Sequence, residues 1–182
     1  MSEPQTPLPA KLLASIIFRN EENKGEKDLF AKVRDLLVRE FGPLDYQSPQ
    51  MQFQHTPYYA SEMGVSLQRC FVAFHQLMDR DRLADIKLFT NRIEKQLLDH
   101  RGGRRVNIDP GLLSLENLVL ATGKNFTHRI YLRHGIFAEV TMIFQKGKFV
   151  TLPWTYPDYA SEEIIAVLAH IRTLLGADLR NR

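Results

Sequence analysis

The sequence predicts an α+β fold: a ferredoxin-like β-α-β-β-α-β core, a C-terminal antiparallel β-meander and a final helix. Three observations predict it. Extended and helical patterns succeed one another in that order between residues 11 and 109. The first and third strand candidates are apolar throughout, whereas the second and fourth alternate, as inner and edge strands of such a core would. Past Asp109, the dipeptides His134–Gly135 and Lys146–Gly147 separate alternating runs, which signals two-residue hairpins.

Leu12 to Phe18 (LLASIIF) is short, apolar and β-branched, a buried strand. From Lys27 to Phe41, the residues Leu29, Phe30, Val33, Leu36, Leu37 and Phe41 keep the 3-4 spacing of a helix with one buried stripe. Gly42 and Pro43 then stop it. Met51 to His55 alternates as a short strand, and Leu67 to Leu77 is a second strongly apolar one. Asp79 or Asp81 is placed to cap the next helix, which carries Leu83, Ile86, Phe89 or Thr90, Ile93 and Leu97 on one face and ends near His100. In Arg104 to Asp109, Val106 and Ile108 point one way and Arg105, Asn107 and Asp109 the other. Pro110–Gly111 reads as a turn, and Ser114 as the cap of a short helix with Leu115, Leu118 and Val119. The meander follows: His128–Arg133, Ile136–Gln145 and Gln145–Leu152. Ser161 caps the last helix, Glu162 and Glu163 suit its positive end, and Gly176 ends it. The expected division is a flexible N-terminus over 1–10 and one α+β domain over 11–182, with the ferredoxin-like core at 11–109 and the meander and helix extension at 110–176.

Composition limits the function classes. The chain has 182 residues, 44% hydrophobic and 25% charged, ordinary for one globular domain with a proper core. No apolar stretch approaches the roughly 20 residues that span a bilayer, and the N-terminus lacks the basic start and apolar centre of a secretory signal. The lone cysteine, Cys70, sits in an apolar run and fits a small buried hydrophobe in a reducing, cytoplasmic setting. The net charge of +3 is mild but regional. Between Arg101 and Arg133, six basic residues (Arg101, Arg104, Arg105, Lys124, Arg129, Arg133) face two acids (Asp109, Glu116), a net of +4 that leaves the rest at −1.

Polar chemistry gathers in the same region. A two-residue loop at His134–Gly135 would set Ile130 opposite Glu139 and His128 opposite Thr141, making His128 and Glu139 diagonal neighbours on one face. Arg129, Tyr131 and Arg133 would share the other face with Ala138 and Val140. If the meander folds over the polar face of the preceding strand, Arg105, Asn107, Asp109, His128 and Glu139 converge. A cation, two carboxylates and an imidazole suit an anionic ligand, a divalent ion or acid–base work, and equally a structural ion-pair network. The segment Leu152–Pro153–Trp154–Thr155–Tyr156–Pro157–Asp158–Tyr159 adds rigid aromatic surface, either a pocket wall or a plug under the last helix. Pro57–Tyr58–Tyr59 is a weaker case of the same kind and reads as packing.

Gly123–Lys124 is not a phosphate loop: Leu118 stands where the first glycine belongs and Asn125 where a magnesium-binding hydroxyl belongs. Nor is there a His/Asp/Glu spacing of the H-E-x-x-H kind, and no motif assigns a cofactor.

Four segments carry a resemblance: Arg105–Val106–Asn107–Ile108–Asp109–Pro110–Gly111, His128–Arg129–Ile130–Tyr131, Ala138–Glu139–Val140–Thr141, and Leu152 to Tyr159. With these, the chain from Lys11 to the last helix resembles an uncharacterised prokaryotic domain-of-unknown-function family of about this length, whose members often carry the automatic label "GTP-binding protein". The residues do not support that label by known mechanics. There is no phosphate loop, and Asn23–Lys24–Gly25–Glu26 ends in Glu where a guanine-reading motif needs Asp.

The first functional reading is a binding or regulatory module for a small anionic ligand, nucleotides included. Arg104, Arg105 and Arg129 would supply charge and Trp154 or Tyr156 a stacking face, with Asn107, Lys124, Tyr131 and Asp158 as further contacts. An alternative is an enzyme using Asp109, His128 and Glu139, with or without a divalent metal. A third, a weak nucleic-acid binder, is disfavoured because the strands lack the aromatic pattern of RNA-reading sheets.

Overall fold

A computed structural model describes residues 1–19, 28–53, 63 and 66–181. The expected Lys27 helix start, the strand residues Gln54 and His55, and the segments 23–26 and 57–59 lie outside them.

In chain order the elements are β1 (Ala10–Arg19), α1 (Leu29–Phe41), β2 (Leu44–Gln47), β3 (Met51–Phe53), β4 (Leu67–Met78), a 3₁₀ turn (Arg80–Arg82), α2 (Leu83–Gln96), β5 (Val106–Leu113), β6 (Asn117–Thr122), β7 (Arg129–Arg133), β8 (Ile136–Gln145), β9 (Lys148–Thr151) and α3 (Glu162–Arg180). Among the described residues all nine strands form one sheet, ordered β2-β4-β1-β5-β6-β8-β7, with β3 also on β4 and β9 also on β8. Every pairing is antiparallel.

The expectation of a ferredoxin-like core with a separate C-terminal meander is therefore corrected: among the described residues, one nine-stranded antiparallel sheet carries three helices of a full turn or more. Two local causes explain the difference. First, Pro110–Gly111 is no turn but the middle of β5, where Ala14 pairs with Pro110 and Leu13 with Gly111. Proline is tolerated because β6 pairs with β5 only at Gly111, Leu112 and Leu113, so no strand needs the missing N–H on that side. Gly111 is set by close approach, since a Cβ there would stand 2.7 Å from Leu120 Cδ2. Second, Ser114–Val119 is a hairpin and not a helix. Ser114 Oγ accepts from the Glu116 and Asn117 amides at 3.1 Å each, and Ser114 N donates to Asn117 O at 2.9 Å. This tight turn sends β6 back along β5, and β8 then pairs with β6, so the later strands extend the same sheet.

The layers follow from strand alternation. Leu12, Ala14, Ile16 and Phe18 of β1 join Cys70, Val72 and Phe74 of β4 under α1 and α2. Leu13, Phe71 and Ala73 join Ile164, Val167, Leu168 and Ile171 of α3 on the other face. Both faces are covered, which is why β1 and β4 read as unbroken apolar runs.

Smaller expectations divide. Gly42 N donates to Val38 O at 3.0 Å with φ +87°, and Ser161 Oγ accepts from Ile164 N at 3.3 Å, so both caps form. Both X-Gly hairpins form, with left-handed φ at His134 (+53°), Gly135 (+76°), Lys146 (+50°) and Gly147 (+80°). Asp79 makes no side-chain cap, because the 3₁₀ turn intervenes before α2. The last helix runs past Gly176 to Arg180, and Asp178 in that added turn forms an ion pair with the fully buried Lys11. No described helix is long and apolar enough to cross a membrane.

Candidate functional site

The short β5–β6 pairing opens a wedge in the sheet. Among the described residues, β5 from Val106 to Pro110 has β1 on one side and no strand on the other, and Ala121 and Thr122 of β6 pair only with β8. A cavity of about 800 Å³ occupies this wedge, within the roughly 300–1,000 Å³ usual for small-molecule sites.

Helix α2 closes one wall. Lys87, Asn91 and Glu94 lie on one of its faces and all line the cavity. Glu94 Oε1 accepts the Ile108 N–H at 2.7 Å, and Lys87 Nζ donates to the Ile108 carbonyl at 2.7 Å. In an antiparallel ladder these two groups point to the same side, here the side that β6 has left. Burial pushes the Glu94 carboxyl above the usual carboxylate range, against the pull of Lys87 and the Ile108 amide.

The β5 edge supplies a second group. Arg104 Nη1 donates to Asn107 Oδ1 at 3.1 Å, Asn107 Nδ2 donates to Asp109 Oδ2 at 2.7 Å, and Lys87 Nζ reaches Asp109 Oδ1 at 3.4 Å. Across the wedge, Glu139 of β8 is only 2% exposed. Its Oε2 accepts from Arg129 Nε at 2.7 Å and lies 3.0 Å from His128 Nε2, while its Oε1 is buried with no hydrogen-bond partner among the described residues. Burial works against the Arg129 charge, but Glu139 and Tyr156 outweigh it and raise its pKa.

The Tyr156–Tyr159 segment forms a further wall. Arg129 Nη2 donates to Tyr156 Oη at 2.9 Å, and Asp158 pairs with Arg69 of β4. Arg69 also stands over the Phe53 ring at 4.5 Å. Burial raises the Tyr159 hydroxyl far above its ordinary pKa.

Of the residues singled out from sequence, Arg104, Asn107, Asp109, Lys124, Arg129, Glu139, Tyr156 and Asp158 line this one cavity. Arg105, His128, Tyr131 and Trp154 are not among its lining. Arg105 accepts Arg19 N through its carbonyl at 3.3 Å. Tyr131 is 60% exposed on β7 with its ring against Phe137. Trp154 stacks on His128, centroids 4.9 Å apart, and donates from Nε1 to Val140 O at 2.8 Å. The hairpin register also differs from expectation. A bulge between Tyr131 and Arg133 sets Arg129, and not Ile130, opposite Glu139, which brings Arg129 onto the carboxylate.

Sequence reasoning missed Arg69, Lys87, Asn91 and Glu94, whereas Tyr159 falls in the segment read as a pocket wall. The spacing of Lys87, Asn91 and Glu94, one and two helical turns apart, was the available signal, but it reads as an ordinary solvent face. Among the described residues no group of three or more His, Cys, Asp or Glu side chains is placed to hold a metal ion.

The model of a domain of unknown function (DUF4416) matches residues 8–174, and the chain belongs to that family. No curated protein and no solved structure matches it.

Proposed function

We propose that this member of a family of unknown function is a binding module that takes a small anionic ligand, nucleotides included, in the wedge between β5 and β6. The observation that carries the reading is the set of five cationic side chains, Arg69, Lys87, Arg104, Lys124 and Arg129, around one cavity of about 800 Å³. Four acids share its walls, and all four are paired with its cations: Asp158 with Arg69, Glu139 with Arg129, and Glu94 and Asp109 with Lys87. Cations held by neighbours keep their geometry before a ligand arrives, which lowers the ordering cost of binding. Tyr156 adds a half-exposed ring beside Arg129 for stacking.

The test is calorimetry with pyrophosphate and with nucleoside mono- and triphosphates at two salt concentrations. Binding is expected to weaken with salt and with Arg104→Ala or Lys124→Ala. No binding by any of these anions at millimolar concentration overturns the reading.

A second reading, an enzyme using Asp109, His128 and Glu139, draws on the 3.0 Å contact between His128 and Glu139. Hydrolysis of a phosphate ester that is lost in His128→Gln, with binding retained, would select it.

A further inference from the structure

The Arg129 guanidinium joins three separate chain segments at the cavity, one through each nitrogen. Nε donates to Glu139 Oε2 of β8 at 2.7 Å, Nη1 to the Lys124 carbonyl at 3.0 Å and Nη2 to Tyr156 Oη at 2.9 Å. The side chain of Arg129 is 9% exposed and that of Glu139 3%, so the root of this fork is set in the wall. The bulge in β7 that puts Arg129 opposite Glu139 gives the fork its direction.

The other two partners sit where the sheet gives little support. Lys124 lies on the exposed connection between β6 and β7, outside both strands. Tyr156 is 48% exposed. The chain on either side of it is tied down: Thr155 Oγ1 donates to Thr141 O at 2.6 Å, and Asp158 pairs with Arg69. The bond from Arg129 then places the Tyr156 hydroxyl. All three nitrogens of Arg129 are thus engaged before a ligand arrives. A planar fork holds three acceptors in fixed relation, which the point charge of a lysine cannot do.

We propose that Arg129 is the positioning residue of the wedge: it acts through Lys124 and Tyr156, fixing the chain at the lysine and the ring of the tyrosine along the cavity wall. This rests on the reading of the wedge as an anion site. It assigns Arg129 the ordering of the wall and not contact with the anion. Groups ordered in advance do not lose that freedom on binding, so the arrangement raises affinity without adding a contact.

Calorimetry of the whole chain with pyrophosphate tests this. Arg129→Lys keeps the charge and a partner for Glu139 but cannot span the Lys124 carbonyl and Tyr156 Oη together. It is expected to bind about tenfold more weakly than the wild type. Lys124→Ala and Tyr156→Phe are then measured in both backgrounds. Each should cost about threefold or more in the wild type and less than about twofold in Arg129→Lys, where the group removed is already out of place. That dependence on background is a readout that a loss of fold stability alone would not move. Where Arg129→Lys does not fold, Arg129→Gln combined with Glu139→Gln, which removes both charges of the pair, takes its place. Affinity of Arg129→Lys within about twofold of the wild type overturns the inference, because charge then suffices without the fork. Equal losses in the two backgrounds overturn it as well, while the anion site stands. If pyrophosphate and the nucleotides all fail to bind the wild type, the anion site falls and the inference with it.

Discussion

Lys87 and Glu94, two helical turns apart on α2, together occupy both backbone hydrogen-bonding groups of Ile108, the carbonyl through Lys87 Nζ and the amide through Glu94 Oε1, each at 2.7 Å. Side chains of a helix here replace a strand. The ladder is interrupted, yet no backbone group at Ile108 is left orphaned, and the cavity sits in the space so opened.

Removing that substitution should be costly in proportion to what is left unmet. Glu94→Leu strands the Ile108 amide and leaves Lys87 without one of its two carboxylate neighbours, and should destabilise by about 1–3 kcal/mol. Glu94→Gln keeps an acceptor for the amide and should cost less. Urea unfolding gives both values, and an equal loss for the two variants would show that charge, and not the Ile108 bond, matters.

Glu94 also predicts a pH dependence. Burial raises its folded-state pKa above the ordinary carboxylate value. The folded chain therefore holds this proton more tightly than the unfolded chain does. The stability so gained is complete below the ordinary value and is lost as pH rises through the raised one. The unfolding free energy of the wild type minus that of Glu94→Gln should fall across this window and level off above it. A difference that rises with pH contradicts the assignment.

Lys11 tests the other end of the sheet. Fully buried in β1, it pairs with Asp45 of β2 and Asp178 of α3 and donates to Phe74 O at 3.3 Å. Lys11→Met leaves two carboxylates facing each other without their cation and should cost about 3–5 kcal/mol. Asp178→Asn leaves the Asp45 pair intact and should cost about 1–2 kcal/mol. Chemical denaturation midpoints of the two variants make the comparison, and similar losses would mean that Asp178 alone holds the lysine.

Magnesium should not strengthen nucleotide binding. Thr122 Oγ1 accepts from Lys124 N at 3.2 Å, at the end of β6, and Asn125 follows where a phosphate loop would place its metal-binding hydroxyl. GTP affinity measured with and without magnesium should agree within about threefold. Tight magnesium-dependent binding that disappears in Lys124→Ala would refute this.

Much of the molecule was legible from its residues, for identifiable reasons. The X-Gly hairpins were readable because few dipeptides accept two consecutive left-handed residues. The helical stripes of α1 and α3 were readable because a period of 3.6 leaves little ambiguity over several turns. Pro110–Gly111 misled because its meaning depends on a neighbour absent along one side of β5, a tertiary fact. Leu44–Gln47 was missed because four residues with an aspartate among them carry no periodic signal. At the site, eight of the twelve residues chosen from sequence line the cavity. The α2 contributors were hidden because a lysine and a glutamate beside an apolar stripe look the same whether they meet water or a bare strand edge.

Two leaves of sheet meet along a spine of three residue pairs, Gly111 with Leu120, Leu112 with Val119 and Leu113 with Leu118. Three pairs make this seam where nine join β1 to β4, and its angle sets how far the leaves stand apart. Helix α2 packs on β5 of one leaf and on β6 and β8 of the other, so it acts as a brace across the opening. Spreading or closing the leaves must be registered first at the brace, where Lys87 and Glu94 grip a single residue of one leaf.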